Sequence, residues 1–208
     1  MAAELEFPLI ILAAGKGARA GGAKGLIEYN GRPWISEQLR LCHAVGVKSS
    51  VIVLGYQHVD YLKVLAREKT DFVINAAPER GQFSSLQCGA RWALAAKAAA
   101  AFVLPVDVPC PGREVWQALV DNLSTSTQAC VPEVQKHGGH PVLLVAPLLE
   151  KIASLDVDAS NARLDILLHE LPAATVRRVP VDDITTLMNI NSAKDWASHI
   201  AKAVHDED

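Results

Sequence analysis

The apolar run Pro8 to Leu12 passes without a break into Ala13-Ala14-Gly15-Lys16-Gly17-Ala18-Arg19-Ala20-Gly21-Gly22-Ala23-Lys24-Gly25, a stretch with five glycines. A run this short, followed at once by glycine, predicts a buried strand that ends in a loop. The rest of the chain has the same grammar. Strands are predicted at Ser50–Leu54, Phe72–Ile74, Phe102–Val106, Ala129–Pro132, Val142–Val145 and Thr175–Val179. Helices are predicted at Pro33–Val45, Val59–Glu68, Ser84–Lys97, Glu114–Leu123, Pro147–Ser154, Ala162–Leu171 and from Ser192 onward. Strands separated by helices predict an α/β fold: three layers, a mostly parallel sheet with helices on both faces. With 208 residues, half of them apolar, the whole of 1–208 is read as one domain. Ligands of such sheets bind beyond the carboxyl ends of the strands, where the glycine loop falls.

Glycines and small alanines let a backbone approach a ligand closely, and their N–H groups can face phosphate oxygens. Arg19 and Lys24 add positive charge, so the loop reads as a cradle for a triphosphate. It is not a Walker loop: Gly17 and Gly22 have the spacing, but Ala23 displaces the lysine, and Lys24 is followed by Gly25 instead of a hydroxyl residue. A dinucleotide fingerprint is met on paper by Gly15, Gly17 and Ala20. It should open a helix at once and place an acid about 20 residues on. Glycines instead continue to Gly25, and the second strand ends in Leu54-Gly55 with no acid.

Charge narrows the partners. The net charge of −3, with no basic block, does not favour long nucleic acids. No run of about 18 apolar residues predicts a membrane span. The N-terminus carries Glu4 and Glu6 before its apolar run, unlike a secretory leader. Cys42, Cys88, Cys110 and Cys130 are widely spaced and form no CxxC pair, which reads as reduced cysteines of a cytoplasmic protein.

The stretch LAAGKGARAGGAKGLIEYNGRPWI resembles the signature LAAGxSxRMGxxKxLLxxxGxPLL of the MobA/MocA-like NTP transferases. The resemblance implies a Rossmann-like nucleotidyltransferase fold. It also implies that Leu12, Ala13, Ala14, Gly15 and Gly17 wrap the nucleotide while Arg19 and Lys24 hold its triphosphate. Gly17 stands at the family's usual serine and Ala20 at its methionine.

Further marks follow in the family's order. Gly81-Gln82-Phe83-Ser84-Ser85-Leu86 is similar to a segment touching base and ribose; Ser84 or Ser85 is read either as a ligand contact or as a cap of the following helix. Pro105-Val106-Asp107-Val108-Pro109 resembles the DxP segment. Asp107 ends an apolar strand, where an unpaired carboxylate suits magnesium, a cation that prefers hard oxygen and keeps several waters. Gly138-Gly139-His140-Pro141 resembles the acceptor-side GHP segment, with His140 either a pocket residue or part of a turn; the glycines argue against a metal pair of His137 with His140. Arg163 matches an arginine that reaches an acceptor phosphate, or else is a surface ion-pair partner. Met188-Asn189-Ile190-Asn191 resembles the closing DINTPEDL, with Asn191 a second, neutral metal ligand, Asn189 in place of an acid and Ser192 capping a last helix.

The reaction implied is nucleotidyl transfer. A phosphate of the acceptor attacks the α-phosphorus of an NTP, and pyrophosphate leaves. Arg19, Lys24 and Asp107 are the catalytic set and Mg2+ the cofactor. The resemblance points to molybdopterin as acceptor and, from the Ala13-Ala14-Gly15 start, to CTP over GTP. A molybdoenzyme client or delivery chaperone is an implied partner. A sugar-phosphate or polyol-phosphate nucleotidyltransferase stands as the alternative enzyme, and a non-catalytic cofactor carrier as the alternative of another class.

Overall fold

Period-two alternation sorts the residues of β1 (Leu9–Ala13) into two cores. Leu9, Ile11 and Ala13 face one side of the sheet, Ile10 and Leu12 the other, and all five are buried. The computed structural model describes residues 5–17, 22–29 and 31–190. The first core is closed by α1 (Trp34–Ala44), α2 (His58–Leu65) and α4 (Arg113–Asp121). The second is closed by α3 (Gln82–Ala95), α5 (Ala146–Ser154) and α6 (Leu164–Glu170). The three layers expected from the alternation are present.

The remaining strands are β4 (Ser50–Leu54), β5 (Asp71–Ile74), β6 (Ala100–Pro105), β7 (Ala129–Val134), β8 (His137–Gly138), β9 (Val142–Val145) and β10 (Val176–Pro180). Their order across the sheet is β10-β7-β9-β6-β1-β4-β5, with β8 paired to β7. β1 runs parallel to both β4 and β6, β4 to β5, and β10 to β7. β9 is antiparallel to β6 and β7, so the sheet is mostly, not wholly, parallel. The carboxyl ends of β1, β4, β5 and β6 therefore open at one edge.

Short polar elements escape the periodic pattern. A two-stranded ribbon, β2 (Glu28–Tyr29) with β3 (Arg32–Pro33), and the strand β8 are not foreshadowed, being two residues each. The helix expected from Ala162 starts at Leu164, because Arg163 is extended at φ −145° and ψ 138°. Arg19, Ala20, Asn191 and the last helix from Ser192 lie outside the described residues. Among the described residues no helix is long and apolar enough to cross a membrane.

Candidate active site

Two loops, one after β1 and one after its neighbour β6, bring Lys24 and Asp107 together. The Lys24 ammonium donates to Asp107 Oδ2 at 2.7 Å. Their side chains are only 18% and 23% exposed, so solvent screens this pair less than a surface ion pair. The carboxylate expected to be unpaired is thus paired, because adjacent parallel strands deliver both loops to the same edge.

Each loop is clamped by buried hydrogen bonds. The Gly25 N–H donates to the Tyr61 hydroxyl at 3.0 Å, tying the lysine loop to α2. Burial pushes the Tyr61 phenol up to about 12, so the group stays neutral. On the other side α1 grips the backbone around Asp107. Trp34 Nε1 donates to the Val106 carbonyl at 2.6 Å, and Gln38 Nε2 to that of Val108 at 2.6 Å. Gln38 Oε1 accepts from the Cys110 N–H at 3.1 Å, and the Ile190 N–H donates to the Asp107 carbonyl at 2.8 Å. Trp34 and Gln38 are wholly buried. No local signal marks them or Tyr61 as functional, because their partners lie 36 to 72 residues away.

The glycine loop shows why Gly17 stands where the family has serine. Gly17 sits at φ +62° with its carbonyl accepting from the Gly22 N–H, and a Cβ there would lie 1.7 Å from the Gly22 carbonyl oxygen. No side chain fits this loop conformation.

A cavity of about 570 Å³ opens over the pair, within the size range of small-molecule sites. Leu12, Ala13, Ala14, Gly15, Gly17, Lys24, Gly81, Ser85 and Asp107 all line it, as do Lys16 and Tyr56, which were not singled out in the sequence. The Lys16 ammonium lies 4.8 Å from the Tyr56 ring centroid, a cation–π contact that holds a further positive charge at the cavity wall.

Ser84 departs from both of its expected roles. It does not line the cavity, and neither serine caps α3, since the helix already begins at Gln82 behind Gly81. The Ser84 hydroxyl instead donates to the Gly81 carbonyl at 2.7 Å. Both serines accept from the buried Asn75 side chain at 2.8 and 3.0 Å. Asn75, the residue after β5, thereby fixes the start of α3 as a cavity wall. Nor does Asp107 serve α4; Asp183 Oδ2 accepts from the Gly112 N–H there, at 2.8 Å.

A second cavity of about 620 Å³ shares Leu12, Gly81 and Gln82 with the first. His140 and Arg163 both line it, together with Arg80 and Arg178. Burial pushes the His140 imidazole down to about 4, against the pull of the nearby Asp107 charge, so His140 is neutral at pH 7. Its backbone N–H donates to the Thr186 carbonyl at 2.9 Å. His137, by contrast, is exposed on β8, its Nδ1 donating to the Gln135 carbonyl at 2.9 Å. Arg163 lies at the cavity wall and also forms the ion pair, with Asp165 at 2.7 Å.

Among the described residues no three metal-ligating side chains cluster. Among the described residues the donor at this edge is the Asp107 carboxylate, a hard oxygen beside a cavity with room for waters and phosphates. That fits magnesium, which is commonly bound through one or two carboxylates plus phosphate oxygens.

A glycine loop after the first strand, a carboxylate after its neighbour and two adjoining cavities at the strand ends define an α/β protein of the nucleotide-binding type. The chain belongs to the family of the MobA-like NTP transferase domain, whose model matches residues 9–175. That family makes it a nucleotidyltransferase-like protein. No curated protein matches the chain. Among solved structures it is similar to Rv0371c of Mycobacterium tuberculosis H37Rv, with 23% identity, TM-score 0.74 and coverage of 95% and 97% of the two chains. Rv0371c has also been solved in complex with manganese. The 4-diphosphocytidyl-2C-methyl-D-erythritol synthase of Anaerococcus prevotii is 15% identical, with TM-score 0.71 and coverage of 95% of each chain. The molybdopterin-guanine dinucleotide biosynthesis protein A of Archaeoglobus fulgidus is 18% identical, with TM-score 0.69 and coverage of 95% and 100%. At these identities the likeness establishes the fold.

Proposed function

We propose that residues 1–208 form one cytoplasmic enzyme that transfers a nucleoside monophosphate, from CTP by preference, to the phosphate of molybdopterin. The observation that carries this reading is the Lys24–Asp107 pair, set in the first of two cavities that share a wall. The first cavity has backbone, Lys16 and Lys24 for a triphosphate. The second has arginines and a neutral imidazole for a phosphorylated acceptor. The acceptor supplies the attacking oxygen, so no side-chain nucleophile is required. Lys24 releases Asp107 and neutralises charge that builds on the departing pyrophosphate, with Arg19 as its expected helper. Asp107, with Asn191, would hold magnesium, which when bound would screen the phosphate charges. His140, neutral at pH 7, can donate a hydrogen bond to the acceptor phosphate without adding charge. A molybdoenzyme or its delivery chaperone would take the product.

A polyol phosphate is the second acceptor to try, because the chain also shares its fold with the 4-diphosphocytidyl-2C-methyl-D-erythritol synthase. The test is pyrophosphate release from CTP and GTP with magnesium, with molybdopterin or 2C-methyl-D-erythritol 4-phosphate as acceptor. Lys24→Ala should slow turnover on the true pair while leaving the far-UV circular dichroism unchanged, since a loop lysine contributes little to the core. Equal turnover by mutant and parent at saturation would sink the assignment, and a clear GTP preference would overturn the choice of base alone.

A further inference from the structure

The second cavity has three arginines at its wall, and they are not equivalent. Arg80 donates to Asp158 at 2.5 Å, and Arg163 forks onto Asp165 at 2.7 and 3.1 Å. Both charges are already matched by a carboxylate. Arg178 has no ion pair among the described residues. It stands on β10 opposite Val131 of β7, and its guanidinium reaches over Val131 to Gly138 of β8. A Cβ on Gly138 would lie 2.4 Å from Arg178 Nη1 and 3.2 Å from Val131 Cγ1. Glycine at 138 is therefore what makes room for the guanidinium in the cavity. Strand spacing puts this point two strands, roughly 10 Å, from the end of β6 that leads to Asp107. The same cavity has an apolar wall that includes Phe83, Leu86 and Val131.

We infer that Arg178, seated over Gly138, binds a second anionic group of the acceptor, a carboxylate or a phosphate, at the end of the cavity remote from the reacting phosphate. This rests on the reading of the second cavity as the acceptor site. A guanidinium offers a planar fork of donors that matches either anion, and the one without a carboxylate partner need break no ion pair to bind it. The apolar wall accommodates the body of the acceptor between its two charged ends. Arg178 is thus a specificity-determining residue, while Arg80 and Arg163, already paired, shape the rim.

The test uses the full chain and three probes whose charges differ at one end: phenyl phosphate, 4-carboxyphenyl phosphate and 1,4-phenylene bisphosphate. Dissociation constants are measured by NMR titration for the parent, Arg178→Ala, Arg178→Lys, Gly138→Ala and Arg163→Ala. The parent should bind at least one two-ended probe about tenfold more tightly than phenyl phosphate. The better of the two identifies the anion. That ratio should fall to about one in Arg178→Ala and be partly kept in Arg178→Lys. It should fall in Gly138→Ala too, where the new Cβ displaces the far end of the Arg178 side chain and presses on Val131, with far-UV circular dichroism confirming that the fold is kept. Equal or undetectable binding of all three probes by the parent would overturn the inference. So would a ratio that survives Arg178→Ala, or one lost only in Arg163→Ala. Thermal stabilisation by CTP with magnesium is recorded on the same samples. If the parent shows none, the transferase reading fails, while the probe ratio still decides Arg178.

Discussion

The two cavities sit side by side and are built by different means. The first is made of backbone and of side chains clamped below the surface: a glycine loop tied to Tyr61, and the Asp107 loop held by Trp34 and Gln38. The second joins a buried apolar wall to long, exposed side chains such as Arg80, which pairs with Asp158, their side chains being 42% and 74% exposed. Groups fixed by backbone and buried hydrogen bonds lose little entropy when a ligand arrives, whereas exposed arginines must be ordered at that moment. In the proposed function the half given to the triphosphate is the stiff one. The half given to the acceptor has exposed arginines, which can change at small cost in stability.

The contrast is broken most directly at Asp107. Asp107→Asn keeps the shape and removes the charge that Lys24 and a metal would share. Turnover should fall roughly 10²–10³-fold, the size of other lost transition-state contacts. Asn191→Asp, which keeps an oxygen and adds charge, should cost far less. Both are assayed across a magnesium titration after a check of folding. Near-parental activity and magnesium dependence in Asp107→Asn would remove Asp107 from the site.

His140, at the wall of the second cavity but close to Asp107, sharpens the boundary between the halves. Its pKa is depressed on folding, from about 6.5 to about 4. The unfolded chain therefore binds the proton more readily, and stability is lost as pH falls through that window. Urea unfolding at pH 7.5 and pH 5 should differ by about 2 kcal/mol from this group. His140→Gln should abolish that share of the difference. An unchanged difference in the mutant would mean that the imidazole is as freely solvated as the arginines around it.

A comparable effect on stability, with the smallest effect on turnover, is expected in the scaffold of the first cavity. Gln38→Leu leaves the Val108 carbonyl and the Cys110 N–H without their partner in a buried place, a loss of roughly 1–3 kcal/mol. Chemical denaturation measures that loss, and turnover at saturating nucleotide should drop as the Asp107 loop loosens. A stability loss with turnover unchanged would show that the loop is not held by α1 for catalysis.

How much of this was legible follows from the range of each signal. Strand β4 occurs at Ser50–Leu54, as its pattern predicts, because the four-residue apolar run Val51–Leu54, set between serines and Gly55, carries its own evidence. A glycine loop marks Lys24, and an acid after an apolar strand marks Asp107. Nothing local marks their contact, and the sequence reads Asp107 as unpaired. Ser84 and Ser85 look like caps in the sequence, yet the helix boundary falls two residues before Ser84 and turns them into anchors for Asn75.

The sequence by itself determined the layering, since alternation of apolar residues at periods of 2 and 3.6 is a local property that survives without the rest of the chain. It also determined which loops carry charge, and the motif order that marks the family. Only the tertiary structure decided which charges meet. Lys24 and Asp107 are 83 residues apart and share an ion pair because β1 and β6 are neighbours in the sheet. Arg163 and Arg178 look alike in sequence, and they differ because Asp165 lies beside one, while the other reaches across a strand to a glycine. Strand order and the space left by a missing Cβ are properties of packing, and no local pattern of residues encodes them.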